Sequence, residues 1–169
     1  MTMYMVTGEN LRNVIEQNLG DSIYMRHALY ALRFFLDNIC VPIGMDDVFV
    51  STDKKSLTSG LFQKLISEDR TYYLALVDLR EGLAAIAKGF AGEDYEDDKA
   101  FIFDASGELI NRINGEYVIS EAKDGVDFSM EPQLFLEEDE AKEQIKFKEI
   151  LHIPISIGGS AAEILFITV

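Results

Sequence analysis

The chain has 169 residues, enough for one domain that closes a core without disulfide or metal staples. Hydrophobic residues at 48% and aromatics at 11% exclude a disordered chain, even at a formal net charge of -15. Thirty acidic against fifteen basic side chains disfavour nucleic acid or an anionic membrane as partner, a lone Cys40 excludes an internal disulfide, and the lack of a leader pattern or membrane-spanning apolar run points to the cytoplasm.

Leu11, Val14 and Ile15 recur at helical spacing between Glu9 and Asn18, and Gly20 supplies a stop, so a short first helix is predicted. Asp21 or Ser22 can cap a longer helix to Ile39, with Tyr24, Ala28, Ala31, Leu32, Phe35 and Ile39 as its buried side; Pro42 and Gly44 end it. Val48 to Ser51 reads as a strand, and Leu61 to Ser67 with Tyr72 to Val77 reads as a hairpin turning through Glu68-Asp69-Arg70. Asp78 is placed to cap a helix over Leu79 to Phe90, and the acidic segment Gly92 to Asp98 turns into a long helix from Lys99 to Glu121, with Gly125 just beyond it. Strands are then expected at Val126 to Phe128, Gln133 to Leu136, Ile145 to Ile155 and Ala162 to Val169, with Glu137 to Glu143 as a solvated loop or short helix.

The order of elements suggests two similar halves joined near residue 95. Sharing one antiparallel sheet with helices on one face, they give an α+β fold and a single domain over residues 1–169, with residues 1–20 as an N-terminal helical addition.

Common catalytic signatures are missing: there is no P-loop, no dinucleotide-binding glycine pattern after a strand and no nucleophile elbow. His27 and His152 lie far apart, without zinc-ligand spacing or visible partners, and read as structural, so no intrinsic metal is expected. Cys40 near the end of an apolar helix reads as packed, while Asp46-Asp47 and the run Glu93 to Asp98 lack an EF-hand pattern and read as solvated. On the long helix, at about 100° per residue, Asp104, Glu108, Asn111 and Gly115 fall in one arc, with Ile102, Leu109, Ile113 and Tyr117 opposite. Gly107, Asn111, Asn114 and Gly115 each cost up to about 1 kcal/mol relative to alanine in a helix, which suggests that something besides helix formation requires them. Small residues beside a carboxylate and an amide would let another protein's surface approach closely. Spacing by itself describes an ordinary wet helix face equally well.

The stretch Asp104-Ala-Ser-Gly-Glu108-Leu-Ile-Asn111-Arg-Ile-Asn-Gly115 resembles the signature of the CheC/CheX/FliY response-regulator phosphatases, Asp or Ser followed by Glu four on and Asn three further. Val126-Asp127-Phe128-Ser129 leading to Pro132, then Ile153-Pro154-Ile155-Ser156 and Ile164-Leu165-Phe166-Ile167, resemble the later strands of the CheX branch, so the likeness covers residues 70–169. The segment Ala31 to Cys40 has no Glu three before Asn38, which by the resemblance implies one active site per chain, as in CheX. The resemblance implies hydrolysis of the aspartyl-phosphate of a CheY-like receiver domain. Asn111 would orient the attacking water, Glu108 would pair with the receiver's lysine, and Asp104 and Gly115 would belong to the partner-binding surface. It further implies Mg²⁺ held by the receiver, no intrinsic cofactor, and a homodimer. Two other readings are a non-catalytic receiver- or sensor-binding module of the same fold and a small-molecule sensor with a deep apolar pocket.

Overall fold

The computed structural model describes residues 4–78, 81–92 and 98–169. In chain order, β1 (Tyr4–Val6) leads into α1 (Leu11–Leu19) and α2 (Met25–Asn38). The strands β2 (Ile43–Met45), β3 (Phe49–Ser51), β4 (Gly60–Ile66) and β5 (Thr71–Asp78) follow, then α3 (Gly82–Ala91) and α4 (Lys99–Lys123). After these come β6 (Ser129–Met130), β7 (Leu134–Leu136), α5 (Glu138–Gln144), β8 (Glu149–Ile157) and β9 (Ser160–Thr168).

All strand pairs are antiparallel, in the order β1-β2-β8-β9-β5-β4-β6, with β3 also on β8 and β7 also on β4. Two hairpins, β4–β5 and β8–β9, meet along the β5–β9 seam, which runs from Tyr72 opposite Thr168 to Asp78 opposite Ala162. Each hairpin follows a long helix, α2 or α4, and these two helices pack against each other. The fold is therefore the α+β arrangement expected from the sequence, with the difference that the short helix α5 lies on the opposite face from α1 to α4.

Central strands are apolar on both sides because both faces of the sheet are covered. One face, carrying Leu61, Leu65, Leu74, Leu76, Ile153, Ile164 and Phe166, packs under α1 to α4. Val6, Leu11, Val14 and Ile15 belong to that same core, which ties β1 and α1 into it. The opposite face, carrying Phe62, Ala75, Ile150, Leu165 and Ile167, is covered by Leu57, Leu136, Ala141 and Ile145. The acidic run thus forms the short helix α5, whose Glu137 and Glu140 make a reciprocal capping box and whose Ala141 is buried. Carboxylates in its first turn suit the positive end of the helix dipole.

Several boundaries differ from expectation, each for a local reason. Val126 to Phe128 forms no strand: the Val126 N–H donates to the Glu121 carbonyl at 3.0 Å as part of the helix ending, and Phe128 is buried beside Tyr72 and Tyr117. Pairing begins instead at Ser129 and Met130, where two residues meet Ile66 and Leu65. Helix α2 starts at Met25, with Ser22 Oγ accepting from the Tyr24 N–H at 3.1 Å just before it. Its last buried position is taken by Ile39 in extended conformation, and this turns Cys40 outward, so the packed reading of that thiol is corrected to an exposed one. The expected helix start at Leu79 and Arg80, and the acidic residues 93–97, lie outside the described residues, whereas Gly82–Ala91 is helical as anticipated.

Phe166 is fully buried on the helix-covered face and stacks on Tyr24 with centroids 4.9 Å apart. Truncating it to alanine is expected to cost about 3–5 kcal/mol, read as a lower denaturant midpoint at unchanged slope.

Candidate functional site

Helix α4 is fixed to the sheet by Leu109, Ile110, Ile113 and Tyr117, all buried, while Asp98 caps its start by accepting the Ala100 N–H at 3.0 Å. The side of the helix that faces the sheet is thereby chosen. Asp104, Glu108 and Asn111 emerge exposed along one side, with Gly115 half-buried at the end of the row. Among the described residues neither Asp104 nor Glu108 has a hydrogen-bond or ion-pair partner. The spacing of Glu108 and Asn111, three apart, puts their Cβ atoms about 5–6 Å from each other.

The four poor helix formers separate into two kinds. At Gly107 a Cβ would sit 3.1 Å from the Gln133 amide nitrogen, so a larger residue would require that side chain to shift. Asn114 is fully buried and its amide is used inside the protein. Gly115, in contrast, has nothing within 4 Å of where a Cβ would stand, and Asn111 points outward. Internal contacts therefore bear on Gly107 and Asn114, and on Asn111 as well, whose Oδ1 accepts from the buried Gln63; only Gly115 is left without one among the described residues.

A chain of hydrogen bonds reaches Asn111 from behind. Gln63, buried on β4, donates from Nε2 to Asn111 Oδ1 at 3.0 Å and to the Glu131 carbonyl at 3.1 Å. Asn114 Nδ2 donates to Gln63 Oε1 at 2.7 Å, and Asn114 Oδ1 lies 2.8 Å from His27 Nε2. His27 Nδ1 is 2.8 Å from the Tyr72 hydroxyl, and its ring stacks on Tyr117 at 4.0 Å, tilted by only 8°. Burial lowers the His27 pKa to about 3, outweighing the opposing effect of the Asn114 hydrogen bond. Burial likewise pushes the Tyr72 hydroxyl far above its ordinary value. Every member of this chain is neutral at physiological pH.

Sequence reasoning found the exposed row and missed the support. His27 reads as structural and partnerless in one dimension, yet it is joined to helix α4 and strand β5; its partners lie 87 and 45 residues away. His152 too has a partner, Glu163 on the adjoining strand. A polar Gln63 within Leu61-Phe62-Gln63-Lys64-Leu65 was the one visible signal, because a glutamine on a core-facing strand must find partners. Among the described residues no group of three or more His, Cys, Asp or Glu side chains is arranged to hold a metal ion, and no helix is long and apolar enough to cross a membrane. A cleft of about 500 Å³ lies between α3, the start of α4 and β7, lined by Leu83, Ile102 and Phe103 but also by Lys88, Lys99 and Glu137. The Lys99–Glu137 ion pair, 2.8 Å long, belongs to its wall, so it is not the deep apolar pocket that a small-molecule sensor would need.

Solved structures share this architecture. A chemotaxis protein from Desulfovibrio vulgaris Hildenborough aligns with a TM-score of 0.69 at 14% identity, over 89% of this chain and 99% of that one. The chemotaxis protein CheX from Desulfovibrio desulfuricans aligns with a TM-score of 0.69 at 12% identity, over 87% and 99% of the two chains. A chain of the CheX–CheY–BeF₃–Mg²⁺ complex from Borrelia burgdorferi aligns at 0.66 and 22% identity, over 86% and 97%. No family model and no curated protein matches the sequence. The fold of this chain is that of CheX and CheC-like proteins.

The neutral, buried imidazole carries a pH signature whose sign is fixed by linkage. Folded His27 stays unprotonated down to about 3, whereas in the unfolded chain it takes a proton near 6.5. Acidification therefore favours the unfolded state, and this group alone is expected to remove about 1 kcal/mol of stability between about pH 7 and about pH 5.5. Unfolding free energies across that window, with ring nitrogen shifts of His27 remaining those of a neutral imidazole, check it.

Proposed function

We propose that this chain hydrolyses the aspartyl-phosphate of a CheY-type receiver domain, with Asn111 and Glu108 as the side chains that enter the receiver's site. The observation that carries the reading is the outward Asn111 amide, held by Gln63 through its oxygen on a helix whose opposite face is sunk in the core. Glu108 stands one turn away, exposed and unpartnered among the described residues. The shared fold supports the same kind of partner, since a CheX of Borrelia burgdorferi stands in a complex with CheY, BeF₃ and Mg²⁺.

In the proposed reaction a water oxygen attacks the phosphorus and the bond to the receiver's aspartate oxygen breaks, which leaves inorganic phosphate and a free carboxylate. The receiver supplies the phosphoryl group and its Mg²⁺, so this chain needs no cofactor of its own. Asn111 orients the water with its amide, a contribution of position rather than of acid or base. Glu108 pairs with the receiver's lysine through a charge-assisted hydrogen bond and fixes the docked geometry. Asp104 and Gly115 line the contact surface, where the bare backbone at Gly115 permits close approach. At a net charge of -15 the chain gains no long-range attraction to an acidic phosphosite, so recognition rests on local complementarity around the row. A cytoplasmic homodimer acting in two-component signalling of the chemotaxis kind completes the proposal.

Decay of a phosphorylated receiver is expected to accelerate on adding the protein, and Asn111→Ala to lose about a hundredfold or more of that acceleration. Glu108→Ala should raise the concentration needed for half-maximal effect. Receiver binding with no acceleration would instead identify a non-catalytic module, and decay at the spontaneous rate without binding would exclude both readings.

Gly115→Ala separates folding from docking. It should raise stability by up to about 1 kcal/mol, because a helix-interior glycine is replaced in open space, while weakening the effect on the receiver. Thermal melts and decay assays on the same sample read the two opposite changes.

A further inference from the structure

We propose that Gln63, Asn114, His27 and Tyr72 form a directional hydrogen-bond relay that fixes which way the Asn111 amide faces, oxygen inward and NH₂ outward. This rests on the phosphatase reading for its consequence, but not for its geometry. Side-chain amides are nearly symmetric in shape, so an isolated exposed asparagine can present either end to a partner. Only one end suits a given task.

The direction is set by a single atom that cannot change its role. The Glu131 carbonyl only accepts, so the Gln63 atom 3.1 Å from it must be the NH₂ nitrogen. That same nitrogen lies 3.0 Å from Asn111, which must therefore offer its oxygen. The Gln63 oxygen then faces Asn114 at 2.7 Å and requires the Asn114 NH₂ there. The Asn114 oxygen is thus turned to His27 Nε2 at 2.8 Å, and this nitrogen must carry the proton. Nδ1 of the neutral ring is left as an acceptor for the Tyr72 O–H at 2.8 Å. Each link satisfies the next, and reversing any one sets donor against donor or acceptor against acceptor.

Gln63, Asn114, His27 and Tyr72 are all buried, so water cannot repair a reversed link among them. Gln63, Asn114 and His27 are positioning residues: none is placed to touch a phosphoryl group, and each acts through its neighbour. The outcome at the surface is an amide with two N–H donors facing the partner and its carbonyl already engaged.

The experiment has two arms. In the first, side-chain amide hydrogen exchange is followed by NMR on the ¹⁵N-labelled, unmodified protein, with Asn111→Ala used to assign that residue. Gln63 NH₂ protons are expected to be protected and Asn111 NH₂ protons to exchange at near-solvent rates; protected Asn111 protons, or a freely exchanging Gln63 amide, overturn the orientation. In the second, decay of a phosphorylated receiver is measured against protein concentration for the unmodified protein and Gln63→Leu. The relay predicts that Gln63→Leu lowers the saturating rate by about tenfold or more with little change in the half-saturating concentration. A saturating rate equal to that of the unmodified protein, where Asn111→Ala removes acceleration, overturns the relay and leaves the phosphatase reading standing. No acceleration by the unmodified protein overturns the phosphatase reading instead, and the exchange arm, which also serves if Gln63→Leu fails to fold, decides the orientation by itself.

Discussion

Buried amides must be satisfied within the protein, and this constraint ties helix α4 to the sheet more specifically than its apolar contacts do. Leu109, Ile110, Ile113 and Tyr117 would tolerate a small rotation of the helix, because dispersion and burial have little angular preference. The contact of Gln63 with Asn111 and Asn114 would not. Both asparagines bond the same glutamine from two positions of one helix, three residues apart, so the helix cannot turn or slide without stranding a donor or an acceptor away from water. The exposed row inherits its direction from that arrangement.

The same principle separates what could be read in one dimension from what could not. Elements with period and punctuation were legible: the β4–β5 hairpin, the β8–β9 pair and a helix ending just before Gly125 follow from local pattern. Strands β1 and β2 were missed because Pro42 and Gly44 read as helix-ending punctuation, and because the two pair with each other on an edge that only β8 provides. Val126 to Phe128 misled for the opposite reason. Its apolar residues serve a helix ending and an aromatic cluster, not a ladder, and composition cannot distinguish those uses. For the site, the row Asp104, Glu108, Asn111 and Gly115 was visible through helical geometry, while Gln63 and His27 were not, since each is joined to the helix only by the tertiary fold. Gly107 and Gly115 looked alike in sequence; only the presence of Gln133 beside one and open space beside the other separates them.

Covering both faces of the sheet has a mechanical consequence for the site. Strand β4 carries Gln63 toward α4 while its neighbours Phe62 and Leu61 point to opposite cores, so the strand that bears the glutamine is held between two packed layers. Further along, β4 is also paired by β5 on one edge and by β6 and β7 on the other. The segment joining β6 to β7 supplies the Glu131 carbonyl that orients Gln63, and Gln133 from the same segment packs on Gly107. A short irregular stretch on the sheet edge thus acts on the helix at two places.

His27 might be taken as a general base, being the only buried imidazole joined to Asn111, but its surroundings argue otherwise. Both ring nitrogens are engaged, and burial keeps the ring neutral far below the pH at which a free histidine titrates. A group that resists protonation so strongly cannot collect a proton from water at neutral pH, and no member of the relay could pass one on without reversing its own hydrogen bonds. The chemistry available to this chain at Asn111 is consequently positional. In the proposed reaction an attacking water would be held and aligned here, and the charge that develops at phosphorus would be met by groups that the receiver brings, chiefly its metal ion and lysine. A helix with one outward amide and two carboxylates unpartnered among the described residues, Asp104 and Glu108, suits that proposed division.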